Sequence, residues 1–188
     1  MELYLIRHTA VQAEGLCYGH YDVPLADTFA TEAAQLRAKL LPDLAAGYRA
    51  FSSPAVRCLV LAAEFVPDIT PDERLREMHF GAWENRAWNN LPSTETAPWM
   101  ADYVTLAPPG GETFGAVQQR AAAFLTELAA VPPAEPALVF THGGTIRALV
   151  CHCLEIPLRN AFQLQVDFAS VTKLRYQHGK WNLLTLNA

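Results

Sequence analysis

The sequence predicts an α/β fold, a three-layer sandwich with a mainly parallel central sheet and helices on both faces. Short apolar runs of strand length alternate with segments whose apolar residues recur at helical spacing, and no internal repeat interrupts them. Residues 79–111 have no regular period and are rich in Trp, Pro and Asn, which predicts a lid insertion. At 188 residues, 51% of them hydrophobic, the whole chain (residues 1–188) is expected to form one domain.

The first strand and the first helix follow from two different apolar patterns. Residues 3–6 form a short continuous apolar run, which is typical of a buried strand. Residues 28–41 have apolar positions at helical spacing, and Pro42 is expected to end this helix. Its apolar face consists of Phe29, Ala33, Leu36 and Leu40.

A second strand and helix come next in the chain. Residues 49–51 are a strand candidate, and Ser53 followed by Pro54 predicts a helix start, with serine as the N-cap and proline in the first helical position. We expect this helix to run to about Phe65. Residues 68–70 are a further short strand candidate.

The third strand-helix pair follows the predicted lid. A helix beginning at Thr113 has an apolar face formed by Phe114, Val117, Ala121, Phe124 and Leu128. Residues 137–141 read as a buried strand, and Gly143 and Gly144 as a tight turn. The following helix, residues 145–154, is expected to direct inward Ile146, Leu149, Val150 and Cys153.

Apolar residues near the end of the chain alternate with polar ones, as in β-strands. Alternation places Leu164, Val166 and Phe168 on one face of a strand. A second strand is expected through Tyr176 and a third from Trp181, joined by a turn at residues 178–179.

Composition argues against several classes of partner. The formal net charge is −5 and the basic residues are scattered, so neither a nucleic-acid nor an anionic-membrane surface is indicated. No run of about 18 apolar residues occurs, and Glu2 stands where a secretory signal would be basic. We expect a cytoplasmic protein with a small-molecule partner, and the oligomeric state stays open.

The cysteines predict neither disulfides nor a metal site. Cys17, Cys58, Cys151 and Cys153 lack a framework spacing, and a reducing cytosol keeps thiols unpaired. Cys151 and Cys153 flank a histidine, but they continue an apolar helical pattern and have no second ligand pair. We therefore expect packing cysteines, no metal and no other cofactor.

Polar residues stand where two predicted strands end. Arg7 and His8 follow the first strand, and His142 and Gly143 follow the strand at 137–141. Ligands of open α/β sheets bind at the carboxyl ends of the strands, so these residues are expected to converge.

Two more residues complete this constellation. Arg57 lies one turn into its predicted helix, where its guanidinium and the free N–H groups of the helix start can face one anion. Glu77 supplies a carboxyl group. Two histidines, two arginines and one glutamate are the set that phosphoryl transfer through a histidine nucleophile requires.

The chemistry gives each residue type a task. A neutral imidazole attacks phosphorus readily near neutral pH, because its ordinary pKa of about 6.5 leaves a lone pair free. Guanidinium groups, a second histidine and backbone amides hold the charge on the phosphoryl oxygens, and a carboxylic acid protonates the leaving alkoxide.

Five segments resemble the motifs of the histidine phosphatase superfamily, the phosphoglycerate-mutase-like proteins. They are LIRHT (5–9), SSPAVRC (52–58), LREMHFGAWE (75–84), PPGGETF (108–114) and VFTHGGTIRAL (139–149), in family order. The resemblance implies a cofactor-independent phosphomonoesterase acting on a small molecule. It makes His8 the phosphorylated nucleophile and Glu77 the proton donor, and it assigns binding of the phosphoryl group to Arg7, Arg57, His142 and the Gly143 amide.

The region after the first motif is less regular. Thr9 stands where the family usually has glycine, and its hydroxyl is expected to donate to the phosphate; the family's asparagine a few residues on is replaced. The stretch GLCYGHYDVPLA (15–26) is similar to the alpha-ribazole phosphatase branch, which implies that Tyr18 and Gly19 contact substrate and that alpha-ribazole 5'-phosphate is a candidate substrate.

Other interpretations stay open. A phosphoglycerate mutase or a broad-specificity phosphatase has the same motifs, although the short segment after the last strand favours hydrolysis. A non-catalytic scaffold that binds a phospho-ligand would be marked by loss of catalytic residues, and none is lost. Glu84 and the remaining histidines are interpreted as structural, with His20 and His79 the first exceptions to consider because they flank site motifs. The aromatic residues of the lid either pack it or form a wall for an aromatic substrate: Trp83, Trp88, Trp99 and Tyr103.

Overall fold

The computed structural model describes residues 1–40, 47–130 and 135–188. Its strands are β1 (Glu2–Arg7), β2 (Leu16–Cys17), β3 (Arg49–Ser52), β4 (Thr70–Pro71), β5 (Arg86–Ala87), β6 (Ala137–Thr141), β7 (Val171–Gln177) and β8 (Lys180–Thr185). Its helices are α1 (Phe29–Leu40), α2 (Val56–Ala63), α3 (Ser93–Ala101), α4 (Phe114–Ala130) and α5 (Gly143–Cys153).

The central sheet has six strands in the order β4-β3-β6-β1-β7-β8. The first four are mutually parallel, and β7 and β8 add an antiparallel edge. In the β1-β6 pair, Arg7 lies opposite Thr141, so both strands end at the same edge of the sheet. The mainly parallel sheet predicted from the alternating pattern is confirmed.

Helices cover both faces of this sheet. Along β1 the side chains alternate, since successive residues of a strand point to opposite faces. Leu3 and Leu5 pack in the core covered by α4 and α5, whereas Tyr4 and Ile6 pack in the core covered by α1 and α2. All five apolar positions predicted for the face of α4 are buried. The three-layer prediction is confirmed.

The start of α2 differs from the prediction of a serine cap. The helix begins at Val56, and Ala55 occupies the N-cap position in extended conformation, without a side-chain hydrogen bond. The Ser53 hydroxyl is engaged elsewhere: it accepts the Ala55 N–H at 3.3 Å and lies 2.8 Å from His142 Nε2. The Ser53 N-cap was therefore wrong, because a histidine distant in sequence takes up this hydroxyl group.

Gly143 and Gly144 do not form a turn but open α5 directly. His142 is the N-cap residue, with φ −125° and ψ 162°, and the helix continues without interruption. The two glycines are needed for packing instead. A methyl group on Gly144 would lie 2.3 Å from Glu77 Oε1, and one on Gly143 would lie 3.3 Å from Arg7 Nε.

Residues 164–168 are not a strand, which corrects the prediction from their alternation. A 3₁₀ helix spans Leu158–Gln163, and the next strand starts only at Val171. The carbonyl groups of Leu164 and Val166 accept hydrogen bonds from the arginine side chains Arg147 and Arg7, respectively, in place of a neighbouring strand.

The lid region, residues 79–111, is more ordered than its irregular sequence suggests. It contains helix α3, which has Pro98 inside it, and strand β5, which pairs with β2 in a separate small sheet. Its aromatic residues pack with α4 and α5 in a third core cluster that includes Trp83 and Trp99. The short strand expected at 68–70 lies at Thr70–Pro71, and Pro42 lies outside the described residues.

Within the described ranges, the structure has no helix that is both long and apolar enough to span a membrane.

Candidate active site

Two histidine rings lie side by side at the carboxyl end of the sheet. His8 directly follows β1, and His142 directly follows β6. Because these strands are parallel neighbours, both side chains leave the sheet at the same edge. The ring centroids are 5.3 Å apart, and the ring planes form an angle of 66°. The structure thus brings together the two histidines of the sequence motifs.

The His8 ring is held in one tautomer. Its Nδ1 lies 2.8 Å from the Thr9 carbonyl oxygen, which can only accept, so Nδ1 carries the proton and Nε2 the lone pair. Burial, and then the nearby Arg57 guanidinium, hold the pKa of His8 well below its ordinary value. His8 is therefore a neutral imidazole whose Nε2 is available as a nucleophile.

His142 is fixed in the opposite tautomer. Arg57 donates from Nη2 to His142 Nδ1 over 3.1 Å, so Nδ1 carries the lone pair, and Nε2 donates to the Ser53 hydroxyl. Burial, followed by the Arg57 charge, lowers the pKa of His142 well below its ordinary value. Both ring nitrogens thus have protein partners. A contact from His142 to a phosphoryl group requires one of these hydrogen bonds to be exchanged, and it stays a prediction.

The buried Arg57 side chain connects α2 with the loop at residues 18–22. It donates hydrogen bonds to the carbonyl oxygens of Gly19, at 2.6 Å, and Tyr21, at 3.2 Å. Its Nε has no partner among the described residues. Gly19 is required at its position, because a methyl group there would lie 1.8 Å from the Met78 carbonyl oxygen. A buried guanidinium with an unused donor suits an anionic ligand.

The carboxyl group of Glu77 is positioned by two backbone donors. Gly144 N–H donates to Oε2 at 2.9 Å, and Met78 N–H donates to Oε1 at 3.0 Å. Glu77 and His8 line the same cavity. A carboxyl group fixed beside a nucleophile is suited to exchange a proton with a bound ligand.

Arg7 and Thr9 add donors that the fold leaves unused. Arg7 donates from Nη1 to the Val166 carbonyl at 2.7 Å, and its guanidinium carbon lies 3.7 Å from the centroid of the Phe168 ring. Arg7 Nε and Thr9 Oγ1 are both buried without a hydrogen-bond partner in the described ranges. Unpaired buried polar groups are costly, so these two atoms, beside His8, are candidates to donate to an anionic ligand.

A cavity opens beside His8 and divides into a polar and an aromatic part. The polar part is formed by Arg7, His8, Glu77, Gly143, Gly144 and Arg147. The aromatic part, together with the rim, is formed by Tyr18, Phe80, Trp88, Trp99, Tyr103, Phe114 and Phe162. Tyr18 lines this cavity, and its contact with substrate stays a prediction. Arg57, His142, Thr9 and Gly19 are not among the residues that line this cavity, although His142 packs on His8 and Arg57 bonds to His142.

Arg147 is a charged cavity residue that sequence reasoning missed. It lies within the last motif and one helical turn after Gly143, so both residues share a face of α5. That spacing was the available signal. Burial, and then the charge of Arg7, lower the pKa of Arg147.

Several residues near the site have contacts that favour structural roles. Glu84 accepts hydrogen bonds from the backbone N–H groups of His20, Tyr21 and Phe80 and so holds the loop at 18–22. His20 and His79 pack on each other, with ring centroids 4.6 Å apart. Trp83 is buried and donates to Glu95 at 2.8 Å, whereas Trp88, Trp99 and Tyr103 line the cavity.

Comparison with known proteins agrees with this arrangement. The model of the histidine phosphatase superfamily (branch 1) matches residues 3–188. An adenosylcobalamin/alpha-ribazole phosphatase of Salmonella typhimurium is 30% identical over an alignment that covers 100% of this chain and 96% of that relative. A probable phosphoglycerate mutase of Cronobacter sakazakii is 29% identical, with 96% and 87% covered.

A solved structure has the same architecture. The alpha-ribazole phosphatase of Shigella flexneri superposes with a TM-score of 0.89 at 26% sequence identity, covering 100% of this chain and 96% of that one. Because the superposition covers the whole of this chain, the likeness extends over the central sheet and the flanking helices.

Proposed function

The chain belongs to the histidine phosphatase superfamily (branch 1) and is a phosphatase, and we propose that it hydrolyses a small-molecule phosphomonoester through a phosphohistidine formed at His8. The observation that carries this proposal is the tautomer of His8. The Thr9 carbonyl holds the proton on Nδ1, which leaves the Nε2 lone pair for attack on phosphorus.

In the first half-reaction, His8 Nε2 forms a bond to phosphorus as the bond from phosphorus to the leaving oxygen breaks. Glu77, in its protonated form, gives its proton to the departing alkoxide. The products are a free alcohol and phosphohistidine.

The second half-reaction consumes water. Glu77, now a carboxylate, takes a proton from a water molecule, whose oxygen bonds to phosphorus as the bond to Nε2 breaks. Inorganic phosphate leaves, and His8 and Glu77 return to their starting states. The cavity beside both residues supports this dual use of one carboxyl group.

Charge on the phosphoryl oxygens is held by this chain's own donors. We assign this task to Arg7, Arg57 and the Gly143 amide, with Thr9 donating through its hydroxyl. The Nε atoms of Arg7 and Arg57 and the Thr9 Oγ1 atom have no hydrogen-bond partner among the residues that the structure describes, and this supports the assignment.

The substrate we propose is alpha-ribazole 5'-phosphate, in cobalamin biosynthesis. Two observations support it: the names of the relatives in Salmonella typhimurium and Shigella flexneri, and the aromatic side chains that face the polar part of the cavity. Aromatic walls stack favourably on flat rings such as that of ribazole. Phosphoglycerate mutase activity is the second candidate, because the relative in Cronobacter sakazakii is named a probable phosphoglycerate mutase.

A turnover panel tests the proposal. Purified protein is assayed with alpha-ribazole 5'-phosphate, 3-phosphoglycerate, fructose 2,6-bisphosphate, nucleotides and a phosphopeptide, and both phosphate release and isomerised product are measured. We expect release of phosphate, with the highest kcat/KM for alpha-ribazole 5'-phosphate. Net conversion of 3-phosphoglycerate to 2-phosphoglycerate would favour the mutase, and binding without turnover would identify a scaffold.

A further inference from the structure

Arg147 presents a guanidinium group that the proposed reaction does not use. Its Nε donates to the Leu164 carbonyl at 2.8 Å, which fixes the plane of the group. Its two Nη atoms form no hydrogen bond or ion pair within the part of the chain that the structure describes, and the side chain lines the cavity. The Nη groups of Arg147 are therefore oriented hydrogen-bond donors at the cavity.

The position of Arg147 lies between the two parts of the cavity. On one side, a methyl group placed on Gly143 would lie 2.9 Å from Arg147 Nη1 and 3.3 Å from Arg7 Nε, which puts Arg147 close to the phosphoryl site. On the other side, its guanidinium carbon lies 5.5 Å from the centroid of the Phe162 ring.

The aromatic rim begins at Phe162. This ring stacks on Phe114 with centroids 5.6 Å apart and meets Tyr103 edge-on at 5.0 Å, and 57% of its surface is exposed. A ligand that reaches from the phosphoryl site to this rim passes Arg147. The part of the ligand that it passes needs oxygen acceptors, because a guanidinium has only donors.

We propose that Arg147 is a specificity-determining residue whose free Nη groups donate hydrogen bonds to neighbouring hydroxyl oxygens of a sugar that joins the phosphate to a flat ring. The inference rests on the proposed function and assigns this chain a substrate of the nucleoside 5'-phosphate type. Two parallel N–H groups match a pair of adjacent oxygens.

A carboxylate next to the phosphoester would also accept from Arg147. A phosphorylated hydroxy acid or aliphatic amino acid, however, has no flat ring to stack on the aromatic rim, so the rim would contribute little to its binding. A sugar that carries a flat ring would use both Arg147 and the aromatic rim, whereas a carboxylate would use Arg147 alone.

The experiment compares three substrates in three variants. The substrates are alpha-ribazole 5'-phosphate, its 2',3'-dideoxy analogue and p-nitrophenyl phosphate, which has a ring but no sugar. The variants are Arg147→Met, Arg147→Lys and the control Arg159→Met, which removes an exposed arginine outside the cavity.

We expect Arg147→Met to lower kcat/KM for alpha-ribazole 5'-phosphate by roughly 10- to 100-fold, the usual effect of losing hydrogen bonds from a charged donor. The dideoxy analogue and p-nitrophenyl phosphate should be hydrolysed almost as in the wild type. Arg147→Lys should recover part of the loss, and Arg159→Met should change nothing. The retained hydrolysis of p-nitrophenyl phosphate shows that the variant is folded.

Several results would overturn the inference. Equal losses on all three substrates would make Arg147 a structural residue. Equal kcat/KM of the wild-type enzyme for alpha-ribazole 5'-phosphate and its dideoxy analogue would show that Arg147 does not bind the sugar hydroxyl groups. Preference for phosphoserine or 3-phosphoglycerate, lost in Arg147→Met, would replace the sugar with a carboxylate. If p-nitrophenyl phosphate is hydrolysed through His8 but neither ribazole compound is, the inference fails while the proposed mechanism stands; no hydrolysis of any substrate overturns both.

Discussion

His8 and His142 pack against each other as neutral rings in opposite tautomers, with their centroids 5.3 Å apart. The Thr9 carbonyl puts the proton of His8 on Nδ1, whereas the Arg57 guanidinium puts the lone pair of His142 on Nδ1. Burial disfavours a charge on either ring. His8 therefore has its Nε2 lone pair free at the cavity, whereas His142 accepts a hydrogen bond from Arg57.

Glu77→Gln should separate substrates by their leaving groups. A general acid matters most when the leaving alkoxide is a poor one, so hydrolysis of an alkyl phosphate should slow by roughly 10² to 10⁴, and that of p-nitrophenyl phosphate much less. Steady-state rates on both substrates measure this, with the exposed Glu64→Gln as the control. Little effect on either substrate would assign the acid to another residue, with Glu14 and Glu84 the next to test.

Arg57→Ala should impair both of those substrates together. The phosphoryl charge is common to them, and loss of one such donor typically costs roughly 10² to 10³ in kcat. The same assay measures it, and Arg86→Ala, which removes an exposed arginine, should leave the rates unchanged. A selective loss on the alkyl phosphate alone would contradict a role at the phosphoryl group.

Chelation and vanadate probe how the charge is stabilised. Since arginines and a backbone amide are assigned to hold the phosphoryl oxygens, turnover should survive exhaustive EDTA treatment. Vanadate, which resembles five-coordinate phosphorus, should inhibit strongly. Activity that EDTA abolishes and a divalent ion restores would show that a metal takes part.

The buried histidines should make stability depend on pH. The pKa of His8 is lowered in the folded state, so the unfolded chain binds more protons below about pH 6.5, and stability present above that pH is lost as the pH falls. Between pH 7 and 5.5 each such histidine should cost about 1 kcal/mol of unfolding free energy.

Urea unfolding of a histidine variant isolates this contribution. His8→Asn should lose about 1 kcal/mol less than the wild type over the same pH interval. Gln35→Asn, at an exposed position of α1 without an ionisable side chain, should lose as much as the wild type. An undiminished loss in His8→Asn would mean that this ring is not kept neutral by the fold.

Local apolar patterns predicted the layers of the fold because their causes are local. The face of α4 repeats at helical spacing over more than four turns, and its predicted positions are buried. Helix α3 was not predicted, because its nine residues include Pro98 and have no clear apolar face.

The errors near the site have tertiary causes. Gly143 and Gly144 look like a turn, yet they are glycines because side chains from distant segments pack against them. Alternation at residues 164–168 suggested a strand, but the carbonyl groups there accept hydrogen bonds from arginines. The motifs identified the residues around His8, whereas the place of Arg147 between phosphate site and rim is visible only in the structure, where Arg147 lies near both Gly143 and Phe162.

The central claim is a covalent phosphohistidine at His8, and trapping it during turnover tests that claim most directly. Acid destroys this adduct, so protein incubated with ³²P-labelled substrate should be quenched in base. The stability of the bound label to acid and to base is then measured. We expect an acid-labile, base-stable label on the His8 peptide, and neither label nor appreciable activity in His8→Ala. Label on a serine, or hydrolysis by His8→Ala at the wild-type rate, would contradict the mechanism.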